Sequence, residues 1–327
     1  MLKVALIGLG GIAAVHICAY KRLEGVQIVA AADAMGEGAR SYPLIKDTAV
    51  RLYSDAKDML EHEDIDIVDI CAPTHLHEEL SVLALSLGRH VICEKPMAST
   101  SEGAYRIAEA ARKSGKIFMT AQVIRFSKPY RYLAEVIRSG ELGALVSLSI
   151  QRLSAVPAWR KESMKSDKNS NGGVIIDLSI HDIDFIYSAL GEPETVSGVF
   201  REVSESSCDN YISAHLTYGN ALVNLYGGFY TASIPFTSGF NAIFEGGYVT
   251  LRHGELVKNG EKINATDTEY PGECEGLNID MSSAFVDEIG YFVSSVKRGE
   301  KTEEALPEST AASLALAEKI KAAAKKI

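Results

Sequence analysis

The run Val4-Ala5-Leu6-Ile7-Gly8-Leu9-Gly10-Gly11-Ile12-Ala13 constrains the fold more than any other segment. An apolar strand pattern ends in G-x-G-x-x-A, and a helical pattern begins at once. Each small residue has a physical task in such a strand–turn–helix unit. Gly8 permits the tight turn, Gly10 lets a pyrophosphate approach the backbone, and Ala13 lets helix and strand pack closely. The helix start, at Gly10, Gly11 and Ile12, offers N–H donors that suit phosphate oxygens. Asp33 then ends the run Ile28-Val29-Ala30-Ala31-Ala32, slightly more than ~20 residues on, where a carboxylate accepts hydrogen bonds from adenosine ribose hydroxyls. That charge repels a 2′-phosphate, so NAD is favoured over NADP; Arg40, a few residues on, keeps NADP open. The bland alternative is a tight turn followed by an unrelated surface Asp.

The rest of the N-terminal region agrees with such a turn. Apolar runs at Lys3–Ile7, Gln27–Ala32, Ile65–Ala72, His90–Cys93 and Ile117–Thr120 alternate with helical patterns at Ile12–Leu23, His77–Leu87 and Ser101–Lys113. Strand and helix in alternation predict an α/β, doubly wound parallel sheet, a nucleotide-binding half over residues 1–121. Residues 122–327 read differently. Helices are expected at Ser127–Ser139, Gly173–Leu190, Ser282–Lys297 and Pro307–Lys325. Between them lie short extended segments parted by Gly and Asn, which predict an α+β domain with an open, largely antiparallel sheet.

Composition narrows the classes of function. The net charge is -10 over 327 residues, which disfavours a nucleic-acid partner. No uninterrupted apolar stretch reaches the roughly 18 residues of a membrane span. The five cysteines, Cys18, Cys71, Cys93, Cys208 and Cys274, are scattered and form no C-x-x-C pair. Neither a disulfide framework nor a metal site is expected, and a cytoplasmic location fits.

Two strands end near proline: Ala72-Pro73-Thr74-His75-Leu76-His77 and Cys93-Glu94-Lys95-Pro96. Ligands of open α/β sheets sit beyond the carboxyl ends of the strands. Pro73, Thr74, His77, Glu94 and Lys95 are therefore candidates to face a cofactor. Lys95 is either a snorkelling surface lysine paired with Glu94, or a cation that polarises an alcohol or carbonyl oxygen. His77 is either a cofactor contact or a structural residue at a helix start.

The Gly173–Leu190 segment carries a core stripe of Ile176, Ile180, Ile183, Tyr187 and Leu190. Beside it Asp177, His181 and Asp184 stand at i, i+4 and i+7, one face of a regular helix. Asp177 suits a helix N-terminus. His181 suits a general base near neutral pH, with Asp177 orienting it or gripping a substrate hydroxyl.

Taken in order, G-L-G-G-I-A, Asp33, A-P-T-H-L-H, E-K-P, A-Q-V-I-R-F at Ala121–Phe126 and G-G-V-I-I-D-L-S-I-H-D-I-D at Gly172–Asp184 resemble the glucose–fructose oxidoreductase and inositol dehydrogenase family, Gfo/Idh/MocA. The resemblance covers nearly the whole chain. It implies an NAD-dependent oxidoreductase moving a hydride between nicotinamide and a carbinol or carbonyl carbon of a sugar, cyclitol or other polyhydroxy compound. It implies Lys95, Asp177 and His181 as the catalytic set. It implies a Rossmann domain followed by an α+β domain with an open sheet. Gln122 and Arg125 would lie near the nicotinamide and substrate, with Lys95, Asp177 and His181. The stretch Pro157–Gly173, variable in such proteins, carries Trp159, Arg160 and Lys161 here; it either covers the substrate, with Trp159 in contact, or is a surface loop. It also implies a homodimer or homotetramer formed through the C-terminal sheet. Val123 stands where relatives often carry Asn, a departure in the polar lining. Two rival readings are an NAD-dependent glycosidase with no net redox change and a non-catalytic NAD-binding sensor.

Overall fold

The computed structural model describes residues 1–156, 173–202, 210–270 and 281–327. Trp159, Arg160, Lys161, Cys208 and Cys274 lie outside the described residues. Close contacts group the chain into two compact units. The first comprises Met1–Phe126 with Asp267–Ala311, and so takes in a stretch far beyond the expected division at residue 121. The second comprises Ser127–Thr266 with Ala312–Ile327.

Strands β1 (Leu2–Ile7), β2 (Val26–Ala32), β3 (Arg51–Tyr53), β4 (Ile67–Ile70), β5 (His90–Glu94) and β6 (Phe118–Ala121) form the sheet of the first unit. It has six strands in the order β3-β2-β1-β4-β5-β6, all parallel. Helices α1 (Gly11–Lys21), α2 (Ala56–His62), α3 (His77–Ser86) and α4 (Ser101–Ser114) connect the strands. The order reverses between β1 and β4, and such a switch point opens a crevice at the carboxyl edge. Val4, Ala5, Leu6, Ile67, Val68 and Ile70 are fully buried, as expected of parallel strands covered on both faces. The sequence pattern did not reveal β3 or α2. β3 is short, and α2 is a helix of 7 residues that buries only Met59 and Leu60 and is capped where Asp55 accepts the Asp58 N–H at 2.8 Å.

Further along the chain run α5 (Lys128–Ser139), α6 (Ile180–Leu190), α7 (Ser283–Arg298) and α8 (Pro307–Ala323). Gly140 closes α5 at φ +67, a left-handed C-cap that glycine adopts without strain. In α7, Ile289, Phe292 and Val293 pack into one core with Val4, Val15, Ile67 and Met119.

The second unit is built on β7 (Leu145–Ala155), β8 (Thr195–Glu202), β9 (Asn210–Tyr218), β10 (Ala221–Tyr230), β11 (Thr237–Phe244), β12 (Gly247–Arg252), β13 (Glu255–Lys258), β14 (Glu261–Lys262) and β17 (Ala324–Lys326). A small pair, β15 (Glu269–Tyr270) with β16 (Met281–Ser282), stands apart. The nine-stranded order is β14-β13-β12-β11-β7-β10-β9-β8-β17. β7 with β10 and β8 with β17 are parallel, and the other pairs are antiparallel. Burial alternates along β10, so Val223 and Leu225 face the core while Leu222 and Tyr226 face outward. The chain end corrects one expectation. The last helix stops at Ala323, and Ala324–Lys326 add an edge strand instead. Among the described residues no helix is long and apolar enough to cross a membrane.

Candidate functional site

The glycine turn is shaped by its neighbours. Gly8 has φ +91, and a Cβ there would stand 2.8 Å from Cys71 O and 2.9 Å from the Ala72 backbone. Only glycine passes so close to the end of β4. Gly10, by contrast, has nothing within 4 Å of a Cβ position. It caps α1, a helix of 11 residues, without a side-chain hydrogen bond, and a helix start capped this way keeps N–H donors for a phosphate. The Gly8 N–H donates to Ala32 O and the Tyr42 hydroxyl donates to Gly10 O, both at 2.8 Å. Gly11 is exposed and Ile12 is half-buried.

Asp33 follows β2. Its Oδ2 accepts the Leu9 N–H at 2.9 Å and its Oδ1 accepts the Met35 N–H at 3.0 Å. Each oxygen keeps a second lone pair for a ribose hydroxyl. Arg40 is engaged elsewhere, with Nη1 donating to Val50 O at 2.8 Å and Nε 3.6 Å from Glu37. An open helix start, a backbone cradle that a Cβ would fill, and a fixed carboxylate fit the dinucleotide NAD.

Gly8, Asp33, Thr74, Lys95 and Gln122 all lie just past the carboxyl ends of parallel strands, which puts them along one edge of the sheet. Pro73 is exposed and Thr74 half-buried. Lys95 is half-buried and precedes a cis peptide bond to Pro96. Glu94 is buried, and its Oε2 accepts the Lys95 backbone N–H at 2.8 Å. His77 is buried with Nδ1 2.8 Å from Pro96 O and Nε2 2.8 Å from Ala72 O. Burial outweighs these carbonyls and holds its pKa below the ordinary histidine value. Gln122 is 2% exposed, and among the described residues its Oε1 has no hydrogen-bond partner. A buried amide oxygen of this kind calls for a donor from a ligand. Arg125 is largely buried, and its Nη2 donates to Ser309 Oγ at 3.0 Å.

Asp177 and His181 belong to the second unit, and the segment that carries them is not the single regular helix expected. Gly173, at φ +71, starts a π-type turn over Val174–Leu178, and α6 follows from Ile180. The Ser179 N–H reaches back to Val174 O at 2.8 Å, five residues instead of four. The wide turn takes Asp177 out of regular helical register with His181 and Asp184, which keep their i, i+3 spacing within α6. Asp177 and His181 are both half-buried, but Asp184 is 1% exposed and accepts the Ser313 hydroxyl at 2.8 Å. Asp184 is therefore a core residue and does not share their stripe. The turn packs on β10, where a Cβ on Gly227 would come 2.1 Å from Ser179 Oγ.

Two further clusters escaped the sequence reading. Arg152 on β7 holds Asp182 through Nε at 3.0 Å and Nη2 at 2.8 Å, and both are buried. In the first unit, buried His16 on α1 meets Asp69, Glu94 and Cys71. Neither cluster has a local sequence signal, because each pairs residues far apart in the chain.

Comparison with known proteins bears on these features. Residues 2–122 match the oxidoreductase family with an NAD-binding Rossmann fold, Gfo/Idh/MocA, and residues 130–245 match the C-terminal domain of the same family. The chain belongs to the Gfo/Idh/MocA family. Its relatives include the D-glucoside 3-dehydrogenase of Escherichia coli, 33% identical over 199 residues that make up 60% of this chain and 56% of that protein. An inositol 2-dehydrogenase of Klebsiella pneumoniae is 29% identical over 187 residues, 57% of this chain and 53% of that protein. The matched stretch thus spans about half the length of these curated relatives. Solved folds in the family agree along the chain. The myo-inositol 2-dehydrogenase of Lactobacillus plantarum superposes with TM-score 0.81 at 22% identity, covering 99% of this chain and 97% of that one. A levoglucosan dehydrogenase complexed with NADH and levoglucosan gives TM-score 0.82 at 21% identity, covering 99% and 97%.

Proposed function

We propose that this family member is an NAD-dependent dehydrogenase acting on a CH–OH group of a sugar, cyclitol or related polyhydroxy compound. The observation that carries the reading is the carboxyl edge of the six-stranded sheet, where the open Gly10 turn, Asp33 and Lys95 lie together. Residues 1–121 would bind the cofactor, and residues 122–327 the substrate and a second subunit. Gly8, Gly10, Gly11 and Ile12 would hold the pyrophosphate and Asp33 the ribose. Pro73, Thr74, His77, Glu94, Lys95 and Gln122 would line the nicotinamide end. When bound, NAD supplies the hydride acceptor. The chain's own residues manage the proton and the oxygen. His181 takes the hydroxyl proton on its imidazole, and the Lys95 ammonium stabilises the oxygen as negative charge grows. Asp177 orients His181 or a neighbouring hydroxyl. Arg125 and Trp159 would contact the substrate.

The outward face of the nine-stranded sheet exposes Leu222, Tyr226, Val199 and Tyr248 at 37–42%. A sheet face with this much apolar area suits a homodimer or homotetramer. Among the described residues Cys18, Cys71 and Cys93 are buried and form no disulfide, which suits a reducing cytoplasm.

The test is purified protein with NAD, and separately NADP, against cyclitols, aldoses, sugar acids and nucleotide sugars, read by reduced-cofactor absorbance. Turnover with NAD and one substrate group is the expected result. Lys95→Met and His181→Asn should each lower kcat by ~10²-fold and leave NADH binding intact. Cofactor binding without turnover across the panel, followed by glycoside cleavage without NADH accumulation, would replace this reading with the glycosidase one.

A further inference from the structure

We propose that His16 is a positioning residue for Lys95, acting through a buried brace that runs from Asp69 through His16 and Glu94 to the Lys95 amide. The proposal rests on the assignment of Lys95 to catalysis made above. His16 is 0% exposed and has a carboxylate at each ring nitrogen. Nδ1 lies 2.8 Å from Asp69 Oδ2 and 3.1 Å from Oδ1, and Nε2 lies 3.2 Å from Glu94 Oε1. A ring with a carboxylate at both nitrogens carries an N–H on each and is an imidazolium. Burial acts to lower the His16 pKa, but Asp69 and Cys71 beside the ring together raise it and hold the value well above the ordinary one. The other Glu94 oxygen accepts the Lys95 N–H at 2.8 Å. One imidazolium thus fixes the carboxylate that fixes the backbone bearing the lysine.

A second histidine completes the hold. His77, at the start of α3, reaches Pro96 O with Nδ1 and Ala72 O with Nε2. As a neutral ring it donates to one of the two at a time. Both histidines therefore join β4 or its end, at Asp69 and Ala72, to the residues on either side of Lys95, Glu94 and Pro96. The two braces secure the lysine segment from opposite flanks.

Packing alone does not account for this arrangement. Removing charged groups from water costs several kcal/mol for each, and apolar residues of similar volume serve a core as well or better. Nor does the chemistry of the cluster suit a cation. Cys71 Sγ lies 3.6 Å from His16 Nδ1 and 3.4 Å from Asp69 Oδ1, so the three could surround an ion. However, Nδ1 lies 2.8 Å from Asp69, and as an N–H donor it has no lone pair to give a cation. Burial, with Asp69 adding to it, pushes the Cys71 thiol up to about 12, so it stays protonated and a poor ligand.

The experiment uses the full chain with His16→Asn and with Glu94→Gln, each alone and combined with Lys95→Met. Glu94→Gln keeps the side-chain volume, and so serves if His16→Asn fails to fold. Turnover is measured with NAD and whichever panel polyol is oxidised, NADH affinity by fluorescence, and amide hydrogen exchange across residues 94–97 by mass spectrometry. Each single variant should lower kcat roughly tenfold or more, and His16→Asn, at a residue outside the cofactor lining, should keep KM and NADH affinity within about twofold. Added to Lys95→Met, either should cost less than about twofold further, because both act through the same group. Exchange at 94–97 should quicken while β1 keeps its protection. Additive losses, or unchanged kcat in both variants while Lys95→Met is impaired, would overturn the brace and leave the catalytic assignment standing. If Lys95→Met keeps full turnover, that assignment fails instead. The exchange measurement needs no substrate and then decides the brace alone: unchanged rates at 94–97, or quickening spread over all of β1, would overturn it.

Discussion

Replacing Asp33 by Asn should exchange the cofactor preference more than it lowers affinity overall. The carboxylate is half-buried at the end of β2 and is aimed by two backbone N–H groups, Leu9 at 2.9 Å and Met35 at 3.0 Å. A charged hydrogen bond to a ribose hydroxyl is worth about 1.5–3 kcal/mol, which NAD loses in the variant. NADP gains from the same change, because a carboxylate about 4 Å from a 2′-phosphate costs between about 1 kcal/mol in water and about 4 kcal/mol near a protein surface. Solvent at a half-buried site favours the lower part of both ranges. A combined shift of about 3 kcal/mol moves the ratio of NADH to NADPH dissociation constants roughly 10²-fold towards NADPH. Asn also loosens the glycine turn, since its amide group cannot accept from both Leu9 and Met35. That loss falls on both cofactors and cancels in the ratio. Fluorescence titration of wild type and variant with each reduced cofactor measures the ratio directly. An equal loss for NADH and NADPH would refute Asp33 as the ribose ligand.

Arg152→Met should lower Tm by roughly 6–15 °C, because it leaves the fully buried Asp182 without its guanidinium, a loss of about 3–5 kcal/mol; a second change, Asp182→Leu, should restore much of it in calorimetry. Gly227→Ala should lower both Tm and kcat by pressing on Ser179, and adding Ser179→Ala, which removes a buried hydroxyl without a partner, should recover most of the loss. His16 has a folded pKa raised above its unfolded value: burial acts to lower it, and Asp69 with Cys71 overcomes that. Its stabilising contribution is complete below about pH 6.5 and is lost as pH rises through the folded value. The Tm gap between wild type and His16→Asn should therefore be widest near pH 6 and narrow steadily towards pH 9, and a constant gap would count against a charged His16.

The sequence exposed those parts of the site that local chemistry dictates. Gly8 and Gly10 stand in a short motif whose geometry admits little but glycine, and Asp33 follows at the end of the next strand. Lys95 was visible because proline marks the end of β5. The second unit was harder to read. Counting i, i+4 and i+7 put Asp177, His181 and Asp184 on one face, but the count assumes a regular helix from Gly173 onwards, and the wide turn at Val174–Leu178 takes Asp177 out of register with the helix that carries the other two. Asp184, three residues on from His181, turns to the core side against Ser313, which periodicity alone does not reveal. Arg152 and Asp182 carry no shared pattern, since a strand and a later helix bring them together. His16 looked like one more residue on an apolar helix, and its partners Asp69 and Glu94 lie 53 and 78 positions away. Long-range pairing of this kind is invisible to periodicity, which reports only what neighbours in sequence share.

The composition of the first unit also bears on how the chain is made. The core around Val4, Val15 and Met119 is finished by Ile289, Phe292 and Val293. At ribosomal speeds of about 5–20 residues per second, the N-terminal half waits roughly ten to thirty seconds for those side chains to emerge. Through that interval its sheet lacks the apolar cover of α7, and the intervening stretch Ser127–Thr266 is free to collapse first. Nascent chains arrested before about residue 290 should therefore engage chaperones through the uncovered face near Val15 and Tyr20, and release should coincide with the appearance of Phe292.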